Sequence, residues 1–245
     1  MCGICGEMRF DGSQPDIDAL RAMNAVLVPR GPDAGGIFQM NHFAAGHRRL
    51  KIIDLSEHAQ QPMLDNELGL GIVFNGCIYN YRELRAELRS LGYRFFSAGD
   101  TEVIVKSYHA WGTACVDRFH GMFAFAIWER DSGRLVLARD RLGIKPLYWA
   151  EVNGMVVFGS ELKVLFAHPD VPVFYTEEVD LEPFGGCPPR GIGGRARVTE
   201  IHNGGDLDAG VFQAASRGGR HGDGVGRVVA LSPAPGAERT APFTP

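Results

Sequence analysis

The second residue carries the first distinctive chemistry of the chain. Removal of the initiator methionine is expected because the Cys2 side chain is small, and it would leave Cys2 with both a thiol and a free α-amine. An α-amine of pKa about 8 can act as general base for its own side chain, directly or through one water. A thiol of pKa about 8.5 then needs only modest activation near neutral pH. Taken alone, Cys2 reads first as an ordinary buried or exposed thiol, so the weight falls on the polar residues that accompany it.

An acyl-transfer site needs donors placed where negative charge develops. Asn75 and Gly76, at the end of an apolar stretch, offer an amide and a backbone that substrate can approach, although the same pair is a strong hairpin-turn signal. An amino-acid substrate also needs a cation for its carboxylate and an anion for its amine. Arg49, in G-H-R-R-L from Gly46, could form a bidentate bridge to the first. Asp100, in S-A-G-D-T-E from Ser97, could hold the second. The competing readings are a solvated surface charge for Arg49 and a helix N-cap for Asp100.

The elements that must position these residues follow from periodicity and turn residues. Cys2 to Phe10 reads as a strand, and Pro15 to Val28 carries apolar residues at helical spacing (Ile17, Leu20, Met23, Leu27). Strands are predicted at Ile37 to Gln39, Phe43 to Leu50 and Gly69 to Asn75. Asn80 with Glu83 forms a capping-box pattern ahead of Leu84 and Leu88, and this helix should stop near Gly92. A second helix should run from Asp100 or Thr101 to Trp111, with Gly112 as its stop. Met122 to Trp128 and Leu135 to Ala138 read as a hairpin buried on both faces, followed by strands at Leu147 to Ala150 and Met155 to Phe158 around an Asn153-Gly154 turn. Ser160 to Phe166 reads as a short helix. Strands, two consecutive helices and then hairpins fit antiparallel sheets covered by helices better than a doubly wound parallel sheet.

The 245 residues are 45% apolar with a net charge of −4, so a phosphate-neutralising basic stripe is absent and nucleic acid is not an expected partner. The longest apolar run, Met122 to Trp128, is too short to span a bilayer, and no leader is recognised, so no membrane partner and a cytoplasmic location are expected. Five scattered cysteines fit free thiols. Cys2 and Cys5 form a C-x-x-C, but no second close pair of ligands accompanies it, so no metal site is expected. A redox role for the pair would require Cys5, which otherwise reads as a core residue.

Eight ordered motifs carry a family resemblance: C-G-I-C-G from Cys2, R-G-P-D from Arg30, G-H-R-R-L-K-I-I-D from Gly46, Q-P from Gln61, F-N-G-C-I-Y-N-Y from Phe74, G-D-T-E from Gly99, G-M-F-A-F-A from Gly121 and R-D-R-L-G-I-K-P-L-Y from Arg139. Together they resemble the class II glutamine amidotransferase domain of asparagine synthases. The N-G-C-I-Y-N form and S-E-H-A-Q-Q-P from Ser56 look most like the amidotransferases that make N-acetylglutaminylglutamine amide.

The resemblance implies an α+β fold, the four-layer αββα N-terminal-nucleophile hydrolase sandwich of antiparallel sheets. It implies hydrolysis of the glutamine side-chain amide through a Cys2 thioester, giving glutamate and ammonia. Cys2, Asn75 and Gly76 would be catalytic. Arg49 would bind the substrate α-carboxylate beside the backbone of Leu50, Ile52 and Ile53, and Asp100 with Gly99 would bind the α-amine. The family commonly has Glu where this chain has Cys77, which leaves Asp100 more of the amine recognition.

This domain is expected over residues 2–170. Residues 171–245 hold 14 of the 32 Gly and 8 of the 14 Pro, a composition that points to a disordered tail or a shifted reading frame. No S-G-G-x-D-S pyrophosphate loop occurs, so no cofactor is expected in this chain, and ATP and Mg belong only to the absent synthetase domain. The expected partners are glutamine and a synthetase subunit or a second copy in a homodimer. The alternative function is a catalytically incomplete fragment that docks a separate synthetase.

Overall fold

Alternation along the strands builds the molecule. The structure is a computed structural model and describes residues 1–51, 56, 59–172, 197–200 and 227–231. The first half runs β1 (Gly3–Arg9), α1 (Ile17–Val26), β2 (Ala34–Met40), β3 (Phe43–Arg49), β4 (Met63–Asp65) and β5 (Leu70–Ile78). Two helices follow, α2 (Tyr81–Ser90) and α3 (Asp100–Trp111), then a 3₁₀ turn over Gly112–Arg118. The second half holds β6 (Gly121–Glu129), β7 (Arg134–Arg139), β8 (Tyr148–Val152), β9 (Met155–Gly159) and α4 (Leu162–Leu165), with β10 (Arg197–Glu200) and β11 (Arg227–Leu231) further along.

Among the described residues the strands form two antiparallel sheets, ordered β10-β8-β9-β1-β3-β2 and β11-β7-β6-β5-β4. Successive side chains of a strand face opposite ways, and β6 shows the consequence. Its Phe123, Phe125 and Ile127 pack under α2 and α3 with Leu84, Leu88, Val103 and Ile104. Its Ala124, Ala126 and Trp128 face the other sheet and meet Ile4, Met8, Phe43 and Phe158. On the far side, Cys5 and Val157 pack beneath α1 and α4 with Leu20, Met23 and Val164. The order of layers is therefore helix, sheet, sheet, helix. Cys5 is fully buried, and burial pushes its thiol up to about 12, which agrees with a core residue and not with one half of a reactive pair.

Several local expectations change. The Asn75-Gly76 pair is not a turn: β5 continues through it, with Asn75 opposite Ala124 and Gly76 opposite Phe123. A Cβ on Gly76 would lie 2.2 Å from the Met122 carbonyl oxygen, so the close approach of β6 already demands glycine there. Asn80 stands at the start of α2 without making a cap bond. Its amide instead donates to the Arg118 carbonyl at 2.9 Å and accepts from His120 N–H at 2.9 Å, tying the helix to the 3₁₀ turn. Gly99, not Asp100, is the N-cap of α3. The Asn153-Gly154 hairpin forms as predicted, with φ of 50° and 74° at the two residues.

In the segment expected to be unstructured, the short runs R-V-T-E and R-V-V-A-L pair antiparallel with β8 and β7. The rest of 173–245 lies outside the described residues.

The β6 face beneath α2 and α3 rests on Phe125, fully buried among Phe119 and Phe123. Phe125→Ala should cost about 3 to 5 kcal/mol, read as a lower urea midpoint at unchanged m-value. A loss below about 1 kcal/mol would contradict this packing.

Candidate active site between the two sheets

The inner faces of the sheets change from apolar to polar at one end. Alternation from Ile4 places Cys2 on the inner face just before β1. On β3, Phe43 and Ala45 face inward, so His47 and Arg49 share that face. On β5, inward Val73 places Asn75 and Cys77 with it. Cys2 is half-buried, and its Sγ accepts from Leu50 N–H at 3.3 Å. Arg30 Nε donates to the Cys2 carbonyl at 3.0 Å and its Nη1 to Glu161 at 2.8 Å, so the start of the chain is fixed by its backbone while the thiol remains at the cleft.

The outer edge of β5 is unusual. β4 pairs only with Leu70 to Ile72, and side chains take over beyond it. Phe74 N–H donates to Gln61 Oε1 at 2.6 Å, the Phe74 carbonyl lies 3.1 Å from His47 Nε2, and Ile78 N–H donates to Asp100 Oδ2 at 2.9 Å. A carbonyl only accepts, so Nε2 of His47 carries a proton. Gly76 has the parity of Phe74 and Ile78, so its N–H faces the same edge, between these two anchors. The neighbouring Asn75 amide is 1% exposed, and its Nδ2 has no partner among the described residues. Two donors are thus left available at adjacent positions, and an unsatisfied buried amide is costly without a role.

Arg49 is buried rather than solvated, 6% exposed, and its Nη1 donates to the Ser56 carbonyl at 3.0 Å. Asp100 is also buried. Burial pushes its carboxyl up, opposed by the N–H groups of Ile78, Asp100 and Thr101 and by Arg85. Arg85 donates to the carbonyls of Ser97 and Gly99 at 2.6 Å each, and Glu102 accepts from the N–H groups of Phe96 and Ser97. The loop that leads into Asp100 is therefore held from two sides. Ile52 and Ile53 lie outside the described residues.

Cys77 sits among Asp100 and Lys145; burial pushes its thiol up, Asp100 pushes further and Lys145 opposes. Sequence reasoning did not assign roles to Gln61, His47 or Lys145. All three fall inside quoted motifs, the signal that could have found them.

The profile described as "Glutamine amidotransferase domain" matches residues 1–183. The chain belongs to this glutamine amidotransferase family. The amidotransferase chain is 40% identical over 174 residues to asparagine synthetase [glutamine-hydrolyzing] 3 of Bacillus subtilis, which covers 70% of this chain and 28% of that protein. It is 39% identical over 189 residues to a putative asparagine synthetase of Methanocaldococcus jannaschii, covering 70% and 36%. It therefore spans about a third or less of the length of these relatives. Among solved structures, the glutamine phosphoribosylpyrophosphate amidotransferase of B. subtilis superimposes with a TM-score of 0.58 at 20% identity, covering 68% of this chain and 43% of that one. This likeness shows the fold, a four-layer sandwich of two antiparallel sheets between helices. No helix among the described residues is long and apolar enough to cross a membrane.

In the amidotransferase domain, His47 generates a pH dependence. Burial, opposed by the Phe74 carbonyl and reinforced by Arg49, lowers it to about 3. Between about pH 6.5, where an unfolded His titrates, and that value, the unfolded chain binds a proton that the native state refuses. Stability should thus fall on acidification, by up to about 1.4 kcal/mol per pH unit from this residue. Urea midpoints of His47→Gln between pH 7 and 4.5 should decline less steeply than those of the parent; parallel declines would contradict the burial of a neutral His47.

Proposed function

We propose that this domain hydrolyses the side-chain amide of glutamine to glutamate and ammonia, with Cys2 as nucleophile. The observation that carries the reading is the unpartnered, buried Asn75 amide beside the edge-facing Gly76 N–H, on the sheet opposite the Cys2 thiol. Once Met1 is removed, the Cys2 α-amine takes the thiol proton, directly or through one water, and the sulfur attacks the amide carbon. The oxyanion is held by Asn75 Nδ2 and Gly76 N–H. The C–N bond then breaks, the α-amine returns its proton to the leaving nitrogen, and ammonia departs from a γ-glutamyl thioester. Water attacks the thioester, giving glutamate and restoring the thiol.

Arg49 binds the substrate α-carboxylate, with the backbone of Leu50, Ile52 and Ile53 beside it. Asp100 and Gly99 receive the α-amine. The neutral Cys77 contributes no charge to that end, so Asp100 carries the recognition of the ammonium group. The relatives' names describe glutamine-dependent asparagine synthesis, and their greater length leaves room for the ammonia-using half. Here the ammonia goes to a synthetase subunit or partner copy that amidates a carboxylate, aspartate or a glutaminylglutamine dipeptide, with ATP and Mg bound on that side.

The test is glutamate release from glutamine by the purified chain. The parent should turn over and Cys2→Ala should not. Asn75→Ala should lose about 10²- to 10³-fold in turnover, equivalent to roughly 3 kcal/mol of transition-state stabilisation, while keeping its melting temperature. Parent-like turnover in a folded Asn75→Ala protein would contradict the oxyanion role.

A further inference from the structure

Lys145 is a buried cation without a carboxylate partner. Its side chain is in a residue only 4% exposed, where lysines are rarely found unpaired, and among the described residues it forms no ion pair. The loop that carries it is secured without the ammonium group. Asp140 accepts the N–H groups of Phe123 at 3.1 Å, Leu142 at 3.2 Å, Ile144 at 2.9 Å and Lys145 at 3.0 Å. Arg139 donates to the carbonyls of Lys145 at 2.8 Å and Gly143 at 2.6 Å. With both backbone groups of Lys145 held, its Nζ is free to serve something other than the loop.

That Nζ points to the beginning of the chain, 2.9 Å from Met1 Sδ. Removing Met1 deletes this neighbour and leaves the ammonium at the start of the chain, where Cys2 becomes the first residue. The charged and titratable groups around it are Arg30, Asp140, Cys2 and Cys77. Burial lowers Lys145, Arg30 adds to that, and Asp140 and the two thiols oppose. Arg30 is already paired with Glu161 and bonded to the Cys2 carbonyl, and Asp140 is occupied by four backbone N–H groups. Among the described residues, Lys145 is thus a cation without an ion-pair partner at the start of the chain, within the electrostatic reach of the Cys2 thiol.

We propose that Lys145 is a positioning residue for the reaction, whose ammonium stabilises the Cys2 thiolate once Met1 is gone. The inference rests on the reading of Cys2 as nucleophile, but its mechanism is electrostatic and separable: when the thiol proton moves to the α-amine, the negative sulfur remains within the field of a positive charge carried by a backbone that Asp140 and Arg139 hold.

The full chain is prepared by cleaving an N-terminal fusion so that Cys2 is the first residue, and the rate of iodoacetamide alkylation of Cys2 is followed against pH by mass spectrometry of the N-terminal peptide. Lys145→Met should alkylate about tenfold more slowly at pH 7, with the profile moved up by about one pH unit, and Lys145→Arg should restore most of both. A Lys145→Met protein with the parent's melting temperature and the parent's profile overturns the proposal. If Lys145→Met does not fold, Lys145→Gln is compared with Lys145→Arg in the same assay. Failure of both neutral variants to fold, with Lys145→Arg folded, would assign the charge to stability and likewise overturn it. Alkylation needs no glutamine, so absence of glutaminase activity in the parent refutes the proposed function and still leaves the Lys145 to Cys2 coupling measured.

Discussion

Much of the site depends on a strand edge that no strand among the described residues covers. Where β4 ends, the outer rim of β5 would expose alternate N–H and C=O groups, and buried backbone groups must find partners. Gln61, His47 and Asp100 supply them at Phe74 and Ile78. Each comes from a different part of the chain, so the strand is pinned to β3, to α3 and to the segment before β4. The positions between the two anchors keep strand geometry through β6 while their outward groups stay available. Gly76 is required there by the approach of β6 as well as by any ligand.

Parity does the remaining placement. Two sheets packed face to face put every second residue of β1, β3, β5 and β7 into one interlayer, apolar over most of its length and polar at the end that holds Cys2, Arg49, Asn75 and Arg139. A one-residue slip of any of these strands would send its polar residue into a helix-covered core and an apolar one into the cleft. The register is thus maintained by the same hydrophobic burial that closes the sandwich, and the chemistry requires no separate scaffold. The Asp140 loop extends this arrangement by fixing the backbone around Lys145 next to the first residues of the chain.

What could be read in advance reflects how local each signal is. The seven apolar residues from Met122 to Trp128, the Asn153-Gly154 turn and the leucine spacing after Asn80 are contained in short windows, and those elements appear where expected. Asn75-Gly76 misleads as a local signal, because the same dipeptide serves a turn or a strand interior and the partner strand decides. Asn80 likewise spends its amide on a distant 3₁₀ turn instead of its own helix. β4, with three residues, leaves no periodicity to detect. Gln61, His47 and Lys145 matter only through contacts with residues far along the chain, so ordered motifs marked all three without saying what they do. Ile52 and Ile53 remain expectations from resemblance.

The central claim is that the thiol at residue 2 is presented, as an N-terminal nucleophile, to the amide carbon of glutamine. Its most direct measurement is the intact mass of the purified protein, with peptide mapping, after exposure to an electrophilic glutamine analogue such as 6-diazo-5-oxonorleucine. The account predicts a chain lacking Met1 and one stoichiometric adduct on Cys2, suppressed by excess glutamine. An adduct on Cys77 with Cys2 unmodified, or no adduct on a folded chain that begins at Cys2, would contradict it.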